Sequence, residues 1–295
     1  MTTFIPAYDT EAASCLEACR RIVGVHRRFQ MPATFFIVGK ILEASADEYR
    51  GLLDDPLFEI ASHTYSHRLL RDHPLGGPGT SPAETREQIL RSKEVIERIF
   101  PDRRCVGLRT PYGFPDGLLG APGILQILEE AGYEYVSSSL WGPKFSLPAP
   151  LTQSFTYAQD GFPALREFPA HGWHENVLKG CLSRPNLLLL FPLQFPEATP
   201  SDFIKTPEEE VRFNNKPFID RALREKLCYV SLIWHPWSLL KFDSTMKMLE
   251  QTFQYVAETG LRTTTFEQLH RTMSLRGSVK TCMKKLVSLH TVKPG

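Results

Sequence analysis

Two histidines four residues apart, His63 and His67, follow a strand-like apolar run in Phe58-Glu-Ile-Ala-Ser-His-Thr-Tyr-Ser-His67. On a helical turn, residues i and i+4 share a face, so both imidazoles would point the same way. Two converging imidazoles make half of a divalent-metal site; a carboxylate completes it and leaves a position open for water. Asp9 and Glu11, in Tyr8-Asp-Thr-Glu11, offer that carboxylate, and the second of the pair can serve as general base. The same residues also suit a helix N-cap with an acidic first turn.

Arg109 lies in Gly107-Leu-Arg-Thr-Pro-Tyr-Gly113. Its guanidinium can clamp a carboxylate, and the Pro-Tyr-Gly turn can aim backbone N–H groups, Tyr112 among them, at an oxyanion. His235, in Ser231-Leu-Ile-Trp-His-Pro-Trp237, is pinned by Pro236 and flanked by Trp234 and Trp237. It suits a general acid or base with an apolar wall. Trp141 can wall the same pocket. His171, Trp173 and His174, in Phe168-Pro-Ala-His-Gly-Trp-His-Glu175, can line a substrate cleft, with His171 or His174 a further option as metal ligand.

These residues need a frame that brings strand ends together. Thr3–Tyr8, Ala33–Val38, Phe58–Ser62, Val106–Leu108, Tyr133–Ser138, Leu165–Phe168 and Leu227–Ile233 read as strands. Ala33-Thr-Phe-Phe-Ile-Val38 is apolar throughout, as in a parallel sheet buried on both faces. Helical patterns alternate with them. Cys15–Phe29 is one, and Ser81-Pro-Ala-Glu84 opens another with an N-cap, a first-turn proline and a capping-box glutamate. Ser244–Thr259 and Phe266–Met273 are the last two, with Arg262–Thr265 a strand between them. Some seven β/α units without a break predict one α/β domain, a parallel barrel with its chemistry at the carboxyl ends of the strands. Residues 172–216 read as a long irregular insertion after the sixth strand. The barrel is expected over residues 1–275, followed by a basic tail over 276–295.

The composition narrows the class. With 42% hydrophobic and 23% charged residues over 295 positions, the chain resembles an ordinary soluble globular protein. Net charge is +1, which gives no electrostatic case for nucleic acid or an anionic membrane. No apolar stretch reaches the ~18 residues of a membrane span. The six cysteines form no CxxC pair and read as reduced thiols, so the expected compartment is the cytoplasm. The N-terminus reads as a first strand, not a signal peptide. The expected partner is a small-molecule or carbohydrate substrate, and a homo-oligomer is compatible with the sequence.

Three of these runs, in order, resemble the polysaccharide deacetylase (NodB-homology, carbohydrate esterase family 4) superfamily over roughly residues 3–273. His63-Thr-Tyr-Ser-His67 matches its H-[ST]-x-x-H motif, Arg109-Thr-Pro-Tyr-Gly113 its R-x-P-Y-G motif, and Leu232-Ile-Trp-His235 its L-x-x-H motif. The usual first motif, T-F-D-D-G, is replaced by Ala7-Tyr-Asp-Thr-Glu11, and of the fourth only Trp141 is recognisable. The resemblance implies a distorted (β/α)7 barrel and a divalent metal, zinc foremost, held by Asp9, His63 and His67. Catalysis would fall to Asp9, Glu11, Arg109 and His235, with Glu11 the alternative to Asp9 as ligand or base. The implied reaction is removal of an acetyl group from an N-acetylated sugar or related amide by metal-activated water, with the Tyr112 N–H on the oxyanion and His235 as acid. An amidohydrolase acting on a small linear or cyclic amide, metal-independent in some branches, and a non-catalytic carbohydrate-binding barrel are the alternatives.

Overall fold

The computed structural model describes residues 2–172, 188–189 and 204–275. Seven parallel strands carry the architecture: β1 (Thr3–Thr10), β2 (Ala33–Ile37), β3 (Phe58–Ser62), β4 (Gly107–Phe114), β5 (Tyr135–Ser139), β6 (Phe162–Glu167) and β7 (Tyr229–Trp234). Their spatial order is β7-β1-β2-β3-β4-β5-β6, with the short strand Phe155–Tyr157 antiparallel on β6. The ladder does not close through a continuous strand pair. One parallel bridge, His171 to Leu232, crosses the gap between the segment after β6 and β7. The result is the expected α/β distorted seven-stranded barrel, seamed at its last joint by one backbone bridge and side-chain hydrogen bonds.

Alternation along the strands explains the two cores. Ile5 and Ala7 of β1 join Phe36, Ala61, Val106, Tyr135, Phe168 and Tyr229 in one cluster, which Phe266 and Leu269 enter from a helix over 266–275. Phe4 and Tyr8 of the same strand join the larger cluster between sheet and helices. Successive side chains of a strand point to opposite faces, so one strand feeds both layers.

The helices are α1 (Cys15–Phe29), α2 (Gly39–Ala44), α3 (Ala46–Leu53), α4 (Pro82–Ile99), α5 (Pro122–Glu130), α6 (Lys216–Arg224), α7 (Pro236–Phe242) and α8 (Lys247–Glu258). The capping box at α4 forms as expected, with Ser81 and Glu84 each satisfying the other's backbone N–H. Three short helices, α2, α3 and α7, escape the sequence pattern, because six to eight residues hold too few turns for a periodic stripe. Gly39 is the first residue of α2. A Cβ there would lie 3.0 Å from Tyr65 Cδ2 and 3.3 Å from the Ser92 backbone, so a side chain would crowd the loop after β3 against α4.

Of the region read as insertion, Pro207–Glu210 is helical with its own Thr206 capping box, and continues through a π turn into α6. The expected basic tail, and most of the insertion, lie outside the described residues. Among the described residues, Cys15, Cys19, Cys105 and Cys228 are free thiols, and no helix is long and apolar enough to cross a membrane.

Candidate active site

β1 delivers two carboxylates to its carboxyl end by different routes. Asp9 is still in the strand and is 3% exposed. Its Oδ1 accepts a hydrogen bond from Nη1 of the fully buried Arg109 at 2.6 Å. The rest of that guanidinium is held as well: Nε and Nη2 donate to Ser137 Oγ at 3.2 and 3.1 Å, and the cation lies 4.0 Å from the centroid of the Phe36 ring. A buried ion pair of this kind is tolerable only because each partner neutralises the other.

Glu11 lies just past the end of β1 and meets the histidines. Its Oε2 lies 2.9 Å from His67 Nε2 and 3.8 Å from His63 Nε2. Its Oε1 accepts from the Trp237 indole N–H at 3.0 Å, and His235 Nε2 stands 3.8 Å from the same oxygen. Burial would raise the Glu11 carboxyl. The neighbouring imidazoles of His235, His63 and His67 outweigh it and hold the group well below the ordinary carboxylate range.

The histidine pair converges without the helical turn that its spacing suggests. Residues 63–70 are irregular, and Thr64 (φ 62°) and His67 (φ 58°) both adopt the left-handed conformation. Two such reversals within four residues bring the imidazole centroids to 4.8 Å. The surroundings pin the strained loop: Thr64 and Tyr65 carbonyls accept from Gly39 and Lys40 at the start of α2, while Gln88 of α4 receives the Tyr65 and Ser66 N–H groups.

His63 Nδ1 lies 2.9 Å from the Arg109 carbonyl oxygen, which can only accept. Nδ1 therefore carries the proton, and Nε2 presents its lone pair toward Glu11. One ligand atom from each of Glu11, His63 and His67 lies within 4.8 Å of the other two. Two imidazole nitrogens and one carboxylate oxygen, with one tautomer already fixed by a backbone carbonyl, are a donor set that fits zinc or a similar divalent cation.

The turn at Tyr112 and Gly113 is also tightly built. Tyr112 and Gly113 both have φ near 63°, and a Cβ on Gly113 would fall 2.4 Å from Leu140 Cγ. Trp141 donates its indole N–H to the Tyr112 carbonyl at 2.6 Å. That places Trp141 as a brace beneath the turn, with Phe145 and the buried His73 packed about it.

The expected site residues therefore divide. Asp9, Glu11, His63, His67, Arg109, Tyr112, Trp141 and His235 gather at one end of the barrel. The carboxylate beside the imidazoles, however, is Glu11; Asp9, expected there, turns along the strand's alternation to Arg109. His171 does not line the cleft through a free nitrogen. Its Nδ1 accepts from Ser231 N at 3.0 Å and its Nε2 donates to Thr152 O at 2.8 Å, so both nitrogens serve the seam of the barrel. Burial lowers its pKa to about 4. Trp173 and His174 lie outside the described residues. Sequence reasoning missed Ser137, visible only as one of three serines, and the indole N–H of Trp237, read as apolar wall.

The polysaccharide deacetylase family model matches residues 8–136, which include both carboxylates, His63, His67 and Arg109. A chitooligosaccharide deacetylase of Rhizobium leguminosarum bv. phaseoli is 28% identical over 99 residues, 34% of this chain. The chain spans only 39% of that relative's length. A polysaccharide deacetylase-like protein of Mycobacterium smegmatis superposes with a TM-score of 0.65 at 17% identity, covering 94% of this chain and 92% of its own. Puue allantoinase does so with a TM-score of 0.58 at 13% identity, covering 92% and 88%. At those identities the likeness is one of fold. The match to the polysaccharide deacetylase family thus lies in residues 8–136, with an altered first motif, and the rest of the chain shares the barrel fold of these solved structures.

Proposed function

We propose that this protein is a metal-dependent hydrolase that removes an acetyl group from an N-acetylated sugar or a related amide. One observation carries the reading: the Glu11/His63/His67 cluster stands at the same barrel end as the buried Asp9–Arg109 pair, so ligands and base are separate groups. A divalent cation bound there supplies a Lewis acid that lowers the pKa of its water toward ~7.

The chain's own residues supply the rest. Arg109 pairs with Asp9 and fixes its position, and Asp9 is the group that takes the proton of the attacking water. The Tyr112 N–H, held by the Trp141 brace, donates to the oxyanion as the acetyl carbonyl becomes tetrahedral. His235, 3.8 Å from Glu11 Oε1, gives a proton to the departing amine.

The test is acetate release from N-acetylated chitooligosaccharides by zinc- or cobalt-loaded protein, run beside His67→Ala. Turnover that disappears in the variant together with the metal supports the reading. Metal-independent turnover of a cyclic amide such as allantoin, with none on the sugars, would overturn it in favour of an amidohydrolase. Sugar binding without turnover in metal-loaded protein would overturn it in favour of a binding barrel.

A further inference from the structure

We propose that Trp237 is the positioning residue of the displaced metal ligand, an inference that rests on the metal site proposed above. Glu11 needs such a residue. It stands beyond the end of β1, outside the ladder that fixes Asp9. It is also one methylene longer than an aspartate and has more rotamer freedom to lose on being held. The Trp237 indole N–H supplies the restraint by donating to Oε1 at 3.0 Å. An indole nitrogen is a donor only, so the contact has a single sense.

The contact divides the carboxylate. Oε1 is taken by the protein, while Oε2 is left facing His67 at 2.9 Å and His63 at 3.8 Å. Glu11 is thereby set to offer a cation one oxygen instead of two. Trp237 is itself well anchored. Pro236 opens α7 with a fixed φ, and the indole ring packs 6.0 Å, centroid to centroid, from His235. The tryptophan two residues after the acid histidine thus does for Glu11 what the Arg109 carbonyl does for His63: a group outside the ligand set fixes a ligand's orientation.

The experiment measures zinc affinity by competition with a chromophoric chelator, and the visible spectrum of the cobalt form, without reference to turnover. Trp237→Phe removes the donor. Replacement of Trp237 by benzothienylalanine removes only the N–H and keeps the ring's shape. Both variants should bind zinc ~10–100-fold more weakly and shift the cobalt bands, with the unfolding temperature of the metal-free protein unchanged for the benzothienyl variant. Wild-type affinity and spectrum in the benzothienyl variant would overturn the proposal, even if Trp237→Phe is impaired, because packing and not the N–H would then be at work. If wild-type protein binds no metal, or binds it equally well as His67→Ala, the metal site itself fails and this inference fails with it.

Discussion

Arg109 touches His63 and Asp9 through different parts of one residue. Its carbonyl accepts the His63 Nδ1 hydrogen at 2.9 Å, and its guanidinium reaches Asp9 at 2.6 Å. In the proposed mechanism, the backbone serves the metal side of the site and the side chain serves the base. The two can be separated by mutation. Arg109→Met should abolish turnover, since Asp9 loses the buried partner that orients it. Zinc affinity should stay within a few-fold of wild type, because the carbonyl remains. Leaving Asp9 buried and unpaired should also cost about 3–5 kcal/mol in urea unfolding. Loss of zinc binding in a folded Arg109→Met protein would show that the two halves are not independent.

The two histidines should differ in what their removal does to the fold. His63 is 1% exposed and satisfies the Arg109 carbonyl, whereas the His67 side chain is 27% exposed. His63→Ala should lose metal and also about 1–3 kcal/mol of stability in the metal-free protein, through the unpaired carbonyl and the cavity left behind. His67→Ala should lose metal with less than about 0.5 kcal/mol of change. Equal unfolding midpoints for the two metal-free variants would contradict the burial difference.

How much of this was legible in the sequence follows from the range of each signal. The strands, α1 and α4 were readable because apolar alternation, helical periodicity and a capping box are local. That Asp9, Glu11, His63, His67, Arg109 and His235 meet in space was readable too, since each lies in or just after one of the parallel strands. Which carboxylate meets the histidines was not. That depends on Asp9 being inside the ladder and Glu11 outside it, and on an indole N–H contributed from 226 positions away. His171 misled for a similar reason. Beside Trp173 and His174 it looks like part of a cleft, and only the tertiary pairing with Ser231 and Thr152 shows that both its nitrogens are spent. The loop at 63–67 shows the limit of spacing arguments: i, i+4 brought the imidazoles together, but through left-handed residues and not a helix.

A buried carboxyl at the other end of the barrel should set part of the pH dependence of stability. Glu59 accepts from Thr34 Oγ1, from the Glu267 N–H and from Tyr135, and burial pushes its pKa up to about 7 from 4.5 despite those bonds. A folded-state pKa above the unfolded one adds stability that is complete below about pH 4.5 and is lost as pH rises through about 7. Glu59→Gln keeps the shape and removes the titration. Between pH 5 and pH 8 the variant should therefore lose about 2 kcal/mol less than wild type does. Buried His26 contributes the opposite slope. Its pKa is lowered by burial to about 4 from 6.5, so its contribution is present above about pH 6.5 and fades as pH falls toward 4. Parallel stability–pH curves for wild type and Glu59→Gln would exclude a protonated Glu59 in the folded protein.

The seam of the barrel gives the last prediction. His171 exchanges two bonds with Ser231, its N–H to the Ser231 carbonyl at 2.9 Å and its Nδ1 from the Ser231 N–H at 3.0 Å, while Nε2 reaches Thr152. These contacts stand where a strand pair would otherwise close β6 on β7. His171→Leu keeps the volume but leaves the Ser231 N–H buried without a partner. That costs about 1–3 kcal/mol, so the variant should unfold at lower urea and show faster amide exchange along β7. Its zinc affinity should stay at the wild-type level, because neither nitrogen of His171 belongs to the Glu11/His63/His67 cluster. A His171→Leu protein of unchanged stability that had lost its metal would instead make His171 a ligand, and would require the loop to rearrange when the cation binds.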